Sequence, residues 1–252
     1  MRGSIAVEHL GKQFRRYHPH RPWTFQEAAI GGLRRLFPQE HFWILRDISF
    51  SVAPGRIVGV IGRNGAGKST LLRTIAGIMK PEEGVVKVWG RLAAVIELGA
   101  GFHPDLTGRE NLVVAGIVGG STRREIERQI DSIVEFAEIE AYLDNPLHTY
   151  SDGMKMRLAF SLAIHLEPDV ILIDEVLAVG DVAFQLKCLR RIMESKERGC
   201  AILLATHDLS TSRELCDEVL WLDGARLAEF GPPNRVVDKY LESMQVAKAV
   251  EA

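Results

Sequence analysis

Strands alternating with helices along this chain specify an α/β fold with a doubly wound core. Three stretches carry that expectation. Ile57-Val58-Gly59-Val60-Ile61 is an apolar, β-branched run; a glycine-rich turn follows it, and then Leu71, Leu72 and Ile75 at helical spacing. Asp169 to Asp174 is an apolar run bounded by the break at Pro168, and Ala201–Ala205 is another. Runs of that length without polar alternation suit strands of a parallel sheet buried on both faces.

In chain order, residues 4–17 read as the start of a strand pair, Ile5-Ala6-Val7 and then Gln13-Phe14. The Pro- and His-rich break His18-Pro19-His20-Arg21-Pro22 follows, and then a short amphipathic helix. Thr24-Phe25-Gln26-Glu27 fits a capping box, and Ile30, Leu33, Leu36 and Phe37 fall on one face. Ile48, Phe50 and Val52 alternate with Asp47, Ser49 and Ser51, as in a half-buried strand over Leu45 to Val52. Short strands are expected around Val85–Val88 and Ala93–Ile96. The middle, about 107–165, is helical: Thr107-Gly-Arg-Glu110 and Thr122-Arg-Arg-Glu125 are capping boxes ahead of apolar-periodic segments. Ser151 is a natural N-cap for a helix over Lys155–His165, and Gly153 keeps its first turn open. Val219–Leu222, Asp223-Gly224 and Arg226–Glu229 read as a hairpin with a primed turn. Pro232-Pro233 opens a last helix that is expected to end near Met244. The organisation is one α/β unit over residues 1–246 and a short tail over 247–252. An inserted helix occupies 18–42 of that unit, and a helical subdomain occupies about 107–165.

A chain of 252 residues has enough material for a full core. Its net charge of -2 argues against nucleic acid as the main partner. No apolar run approaches the ~18 residues of a membrane span. The opening Met1-Arg-Gly-Ser-Ile lacks the apolar core of a signal peptide. Cys188, Cys200 and Cys216 are an odd number without C-x-x-C spacing, so buried free thiols in a reducing cytosol are expected.

The turn after Ile61 reads Gly62-Arg63-Asn64-Gly65-Ala66-Gly67-Lys68-Ser69-Thr70 and fits the phosphate-binding pattern G-x-x-x-x-G-K-[ST] between a strand and a helix. Gly62, Asn64, Gly65, Ala66 and Gly67 are expected to curl the backbone around phosphate oxygens. Lys68 would reach the β- and γ-phosphates, Ser69 would offer a hydroxyl to Mg²⁺, and Thr70 completes the helix start. At the end of the Val170–Asp174 run, Asp174 is placed to hold Mg²⁺ through water and Glu175 to act as general base on an attacking water. A nucleoside triphosphate and Mg²⁺ are the ligands these residues imply.

Tyr150-Ser151-Asp152-Gly153-Met154 lies shortly before the Asp174-Glu175 strand. The ATP-binding-cassette (ABC) superfamily places its signature sequence at that position, and the chain resembles an ABC ATPase over nearly its whole length. The resemblance implies a P-loop cassette with a RecA-like core, an antiparallel β subdomain and a helical subdomain. It implies that Ser151 and Gly153 cap the γ-phosphate held by the opposite subunit of a homodimer. It makes Ala178-Val179-Gly180-Asp181 the counterpart of the D-loop, with Asp181 near nucleotide, and His207 the counterpart of the switch histidine. The adenine-stacking ring is Phe14 or, as second choice, Tyr17, both after the first strand.

Three passages narrow the resemblance to ATPase subunits of bacterial exporters of lipid-linked polysaccharide (O-antigen, capsule and wall teichoic acid). They are Glu97-Leu-Gly-Ala-Gly-Phe102-His-Pro, Tyr150-Ser-Asp-Gly-Met154-Lys-Met-Arg157-Leu-Ala-Phe160 and Asp174-Glu-Val-Leu-Ala-Val-Gly-Asp181. Most ABC ATPases carry a glutamine near Glu97 or Leu98; this chain has none between Thr70 and Gln129, and the polysaccharide group is similar in carrying Glu-Leu-Gly there. One departure is Asp152, where the superfamily usually has Gly and the subgroup Ser. The partners implied are a second copy of the chain, a dimer of membrane permease subunits and a lipid-linked polysaccharide as cargo. The location implied is the cytoplasmic face of the plasma membrane, peripheral through the permease. The 18–42 helix is expected either at the entrance to the membrane subunits, where the resemblance puts one, or as a satellite packed on its own sheet, and no glycan-binding β-sandwich is expected after the last helix. The alternatives are an ABC ATPase of another exporter or an ABC protein outside transport. A simple P-loop kinase would leave the signature helix and His207 without a purpose.

Overall fold

A computed structural model describes residues 2–16, 40–96, 101–174 and 181–251, with side chains placed through Val246. Strand β1 (Ser4–Arg16) pairs antiparallel with β2 (Glu40–Val52), from Ile5↔Val52 to Arg16↔Glu40. β1 is one long strand where two short pieces were expected. Its ladder with β2 shifts register between Val7 and Leu10 and again around Lys12, and His9 takes φ 49°. Bulges of this kind let polar residues interrupt an apolar pattern without ending the strand. β2 begins at Glu40, so residues 40–42, the end of the stretch read as an inserted helix, are strand; residues 18–39 and Tyr17 lie outside the described residues. Along β2 the alternation holds, with Ile48, Phe50 and Val52 buried and Asp47, Ser49 and Ser51 exposed.

β3 (Ile57–Ile61) leads through the glycine-rich turn into helix α1 (Lys68–Ile75), and β4 (Glu83–Trp89) then joins the other edge of β1. β5 (Leu92–Val95) precedes a helical block: α2 (Gly108–Val118), α3 (Arg123–Ala137) and α4 (Asp152–His165). Both expected capping boxes form. Thr107 and Glu110 satisfy each other's backbone at the start of α2, and Thr122 and Glu125 do so at α3. α4 starts three residues before the Lys155 read from sequence, because Ser151 accepts from Met154 N and so sets Asp152 as the first helical residue. Then follow β6 (Val170–Asp174), α5 (Val182–Glu197), β7 (Ala201–Ala205), α6 (Leu209–Leu215), β8 (Glu218–Asp223), β9 (Arg226–Gly231) and α7 (Pro233–Glu251). α7 continues past Met244, and residues 247–251, read as a tail, prolong it. No Gly or Pro follows Pro233 to stop the helix. Among the described residues no helix is long and apolar enough to cross a membrane.

The main sheet has the order β5-β6-β7-β3-β8-β9, parallel from β5 through β8 and closed by the antiparallel β9. Side chains on successive strand residues point to opposite faces, and both faces are covered. Val58, Val60, Leu172, Leu203 and Leu71 form one core with Ile5, Leu10, Leu45 and Ile48 of the antiparallel sheet. Ile57, Ile61, Ile171, Ile173, Ile202 and Leu204 form another with Phe160, Phe184 and Cys188 of the helices. A third core fills the helical block around Leu112, Ile126, Ile130 and Ile133. α4 belongs to two of them: Phe160 and Ile164 face the sheet, whereas Leu158 and Leu162 face α2 and α3. The three cysteines are buried, and desolvation pushes each thiol up to about 12.

The β8–β9 hairpin pairs Asp223 with Arg226 and turns on Gly224 (φ 52°) and Ala225 (φ 68°), the two positive φ values of a primed turn. A left-handed residue with a Cβ is strained by about 1–2 kcal/mol, whereas glycine adds about 0.4–1 kcal/mol of unfolded-chain entropy. Strain wins, so Ala225→Gly is expected to stabilise the protein by about 0.5–1 kcal/mol. A denaturant midpoint that falls in this variant would contradict the turn assignment.

Candidate nucleotide site

The order of the parallel strands assembles the site. β6, β7 and β3 are neighbours, and Asp174 pairs with Ala205, which pairs with Val60, so the three stand in one row across the sheet. Gly62 follows Val60 by two residues, and His207 follows Ala205 by two. The glycine-rich turn, Asp174 and His207 therefore meet at the carboxyl edge of the sheet, where open α/β folds bind ligands. α1 starts at that edge and packs against β6, which puts Ser69 in its first turn on the same side as Asp174.

Lys68 is 7% exposed, and its ammonium donates to the carbonyls of Gly62 at 3.0 Å and Arg63 at 3.4 Å. The loop thus closes on its own lysine and holds the charge in place. Ala66 turns inward and packs on the core, while Asn64 and Gly65 are exposed. The first-turn N–H groups of α1 have no partner within the helix and sit at its positive end. Asn64, Gly65, Lys68, Ser69 and Thr70 line one side of an open cleft of about 570 Å³, with Phe14, Phe42 and Ile44 on the other. Phe42 is a residue that the sequence reading missed. The antiparallel pairing Phe14↔Phe42 brings it to the cleft from the far side of residues 17–39.

His207 is exposed on the loop after β7. That loop is tied down behind it: Asp208 N donates to Thr206 Oγ1 at 3.0 Å, and the Asp208 carboxylate caps α6 by accepting from Ser210 N at 2.9 Å. The Ser210 and Thr211 hydroxyls also donate to Asp208, and these hydrogen bonds hold its carboxyl down to about 2.

Ser151 and Gly153 lie elsewhere. Ser151 caps α4 with Met154 N at 3.2 Å, Lys155 reaches Asp152 at 3.2 Å, and no α4 residue lines the cleft. Asp181 caps α5, accepting from Phe184 N at 2.9 Å, which lowers its pKa, and it also accepts from Arg157 at 2.9 Å. Arg157 binds Glu138 at 2.9 Å and lies 4.6 Å from the Phe184 ring centroid, so it joins α3, α4 and α5. Glu175, Glu97, Leu98 and Ala178 to Gly180 lie outside the described residues.

The loop's glycines make unequal demands. Gly67 (φ 102°) is buried, and a Cβ there would stand 2.9 Å from both Ile44 O and Leu45 Cδ2. Gly65 (φ 81°) faces open space. Gly65→Ala should cost only the left-handed strain of about 1–2 kcal/mol, a fall of several degrees in Tm. Gly67→Ala must also displace β2 backbone, so its Tm should fall further and its nucleotide binding should weaken more. Equal losses in thermal melts of the two variants would contradict this packing of the loop on β2.

A family model described as ABC transporter matches residues 45–178. The chain is 41% identical to the O-antigen export system ATP-binding protein RfbB of Klebsiella pneumoniae, over 95% of this chain and 98% of that protein. It is 46% identical to the RfbB of Myxococcus xanthus, over 99% of this chain but 58% of that longer protein. Among solved structures, an ATP-binding subunit of an ABC transporter superposes with a TM-score of 0.75 at 25% identity, covering 96% of this chain and 98% of that one. With its P-loop, strand-end aspartate and capped α4 all set in the fold those relatives share, this chain belongs to the ABC transporter family and is an ATPase of that family.

Proposed function

We propose that this chain is the ATP-hydrolysing subunit of an exporter that moves a lipid-linked polysaccharide of O-antigen or teichoic-acid type across the plasma membrane. It would work as a homodimer on the cytoplasmic face, bound peripherally to a pair of permease subunits. The O-antigen export names of its relatives support the cargo class, as does Glu97-Leu98-Gly99 in place of the usual glutamine. The observation that carries the ATPase reading is the single row Val60–Ala205–Asp174, which gathers the P-loop, Asp174 and His207 at one sheet edge.

In this reading Lys68 and the first-turn N–H groups of α1 bind the β- and γ-phosphates. Its ammonium is already desolvated and hydrogen-bonded within the loop, so it is ordered before nucleotide arrives. The Ser69 hydroxyl and Asp174 carboxylate are hard oxygen donors on the same edge and fit Mg²⁺, which neutralises phosphate charge in the transition state. Glu175, next after Asp174, accepts a proton from the attacking water, and His207 contacts the γ-phosphate.

Ser151 and Gly153 are assigned to the nucleotide of the opposite subunit, with Asp181 near the same interface. The local fold gives Gly153 no other reason to be glycine: its φ is not positive, and a Cβ would meet only Ser151 Oγ, at 3.8 Å. A close approach from outside the chain supplies one.

Lys68→Ala should weaken nucleotide binding. Glu175→Gln should retain binding, lose ~10²–10⁴-fold in turnover, and accumulate as an ATP-bound dimer on sizing with light scattering. A Glu175→Gln protein that stays monomeric in saturating ATP-Mg²⁺ would count against the shared site, and wild-type turnover would remove Glu175 from its role.

A further inference from the structure

We propose that Asn111 is a positioning residue for the shared site: its amide fixes the loop against which the chain leading into Ser151 is laid. This rests on the reading of Ser151 and Gly153 as contacts to the opposite subunit's nucleotide, and adds the group that holds them in place.

Asn111 is 1% exposed, near the start of α2. Its Oδ1 accepts from His103 N at 2.6 Å. Its Nδ2 donates to the carbonyls of His103 at 3.0 Å, Leu106 at 3.1 Å and Thr107 at 3.0 Å. One N–H and three carbonyls around the group decide which end of the amide is which. A buried amide is costly unless it is bonded. This one is bonded at both ends, and the bonds close residues 103–107 into a fixed turn.

The other side of that turn is paired with the chain ahead of Ser151. Leu147 N donates to Leu106 O and His148 N to Pro104 O, each at 2.9 Å. Gly108 N donates to Asn145 O at 3.2 Å, and Arg109 N to Leu143 O at 3.0 Å. Leu106 O therefore accepts from Asn111 and from Leu147 together, one carbonyl shared by the amide and the segment. A single turn, Leu147–Thr149, then leads to Tyr150 and Ser151. Tyr150 is buried, its hydroxyl donates to Tyr142 O at 2.6 Å, and a Cβ on Gly108 would run into that hydroxyl. The Arg109–Asp144 ion pair spans the same two segments, but its side chains are 46% and 74% exposed, so it adds little. The buried amide, whose loss would strand several backbone groups, is the stronger tie. None of residues 103–111 or 143–151 lines the P-loop cleft of its own chain. Effects on a subunit's own nucleotide and on its partner's can therefore be measured apart.

The test uses the full chain carrying Glu175→Gln, in which an ATP-bound dimer is expected. Added Asn111→Ala should leave ADP-Mg²⁺ affinity unchanged by calorimetry, because ADP lacks the γ-phosphate that the shared contact needs. It should weaken ATP-driven dimerisation by about 5- to 100-fold on sizing with light scattering. With Glu175 intact, turnover should fall by about 10- to 100-fold, the scale of a small misplacement of a catalytic contact. Hydrogen exchange should quicken over residues 143–154 and stay unchanged over 62–75. Tyr150→Phe removes one hydroxyl from the same segment and keeps the ring. It should move dimerisation, turnover and exchange in the same direction by less, and it decides the matter if Asn111→Ala does not fold. Unchanged dimerisation and turnover, quickened exchange confined to 103–107, or ADP affinity falling in step with dimerisation would each overturn the assignment. A Ser151→Ala protein that dimerises and turns over like its parent would instead overturn the opposite-subunit reading, and hydrogen exchange would still decide whether Asn111 orders the approach to Ser151.

Discussion

Burial of the parallel sheet on both faces is the constraint from which the rest follows. β3, β6 and β7 have apolar side chains above and below, so a slip of one residue would exchange the two faces, which meet differently shaped cores. Burying a Val, Leu or Ile is worth about 1.5–3 kcal/mol, and each strand buries four or five such residues, alanines included. Register is therefore held firmly, and with it the row of Asp174, Ala205 and Val60. The chemistry at the carboxyl edge inherits that precision, because the P-loop and the His207 loop start two residues beyond the row.

The helical block is joined to this rigid platform mainly through α4, whose two faces serve two cores. Its exposed N-terminus, capped by Ser151, stands apart from the P-loop cleft of its own chain. Arg157 links the same helix to Glu138 at the end of α3 and to Asp181 at the start of α5. Both carboxylates are more than half exposed, so these ion pairs add little stability. Their effect is positional: they tie α4 to the end of α3 and to the start of α5.

The antiparallel sheet has a different task. It covers one face of the main sheet, and Ile44 and Leu45 of β2 press on Gly67 of the P-loop. The aromatic pair at the outer end of β1 and β2 extends the same surface along the cleft, away from the P-loop. One sheet thus supports the P-loop and carries the aromatic pair that lines the cleft beside it.

Much of this was legible in the chain itself, because it rests on local rules. The turn Gly62–Thr70 announces its geometry through glycines and a lysine at fixed offsets, and both capping boxes are four-residue patterns that formed as written. The buried runs at 57–61, 170–174 and 201–205 declare burial on two faces by lacking alternation. Element ends were less legible where a cap or the lack of a breaker decides: α4 began at Asp152, and α7 ran on past Met244. Tertiary structure alone decided strand order and register, since side-chain period tells which face a residue takes but not which strand lies beside it. Asp174 opposite Ala205, Phe42 beside Phe14 across residues 17–39, and Asp181 drawn to Arg157 are all contacts between distant segments. The residue types that can bind a nucleotide are a property of the sequence; their convergence on one edge is a property of a sheet packed on both sides.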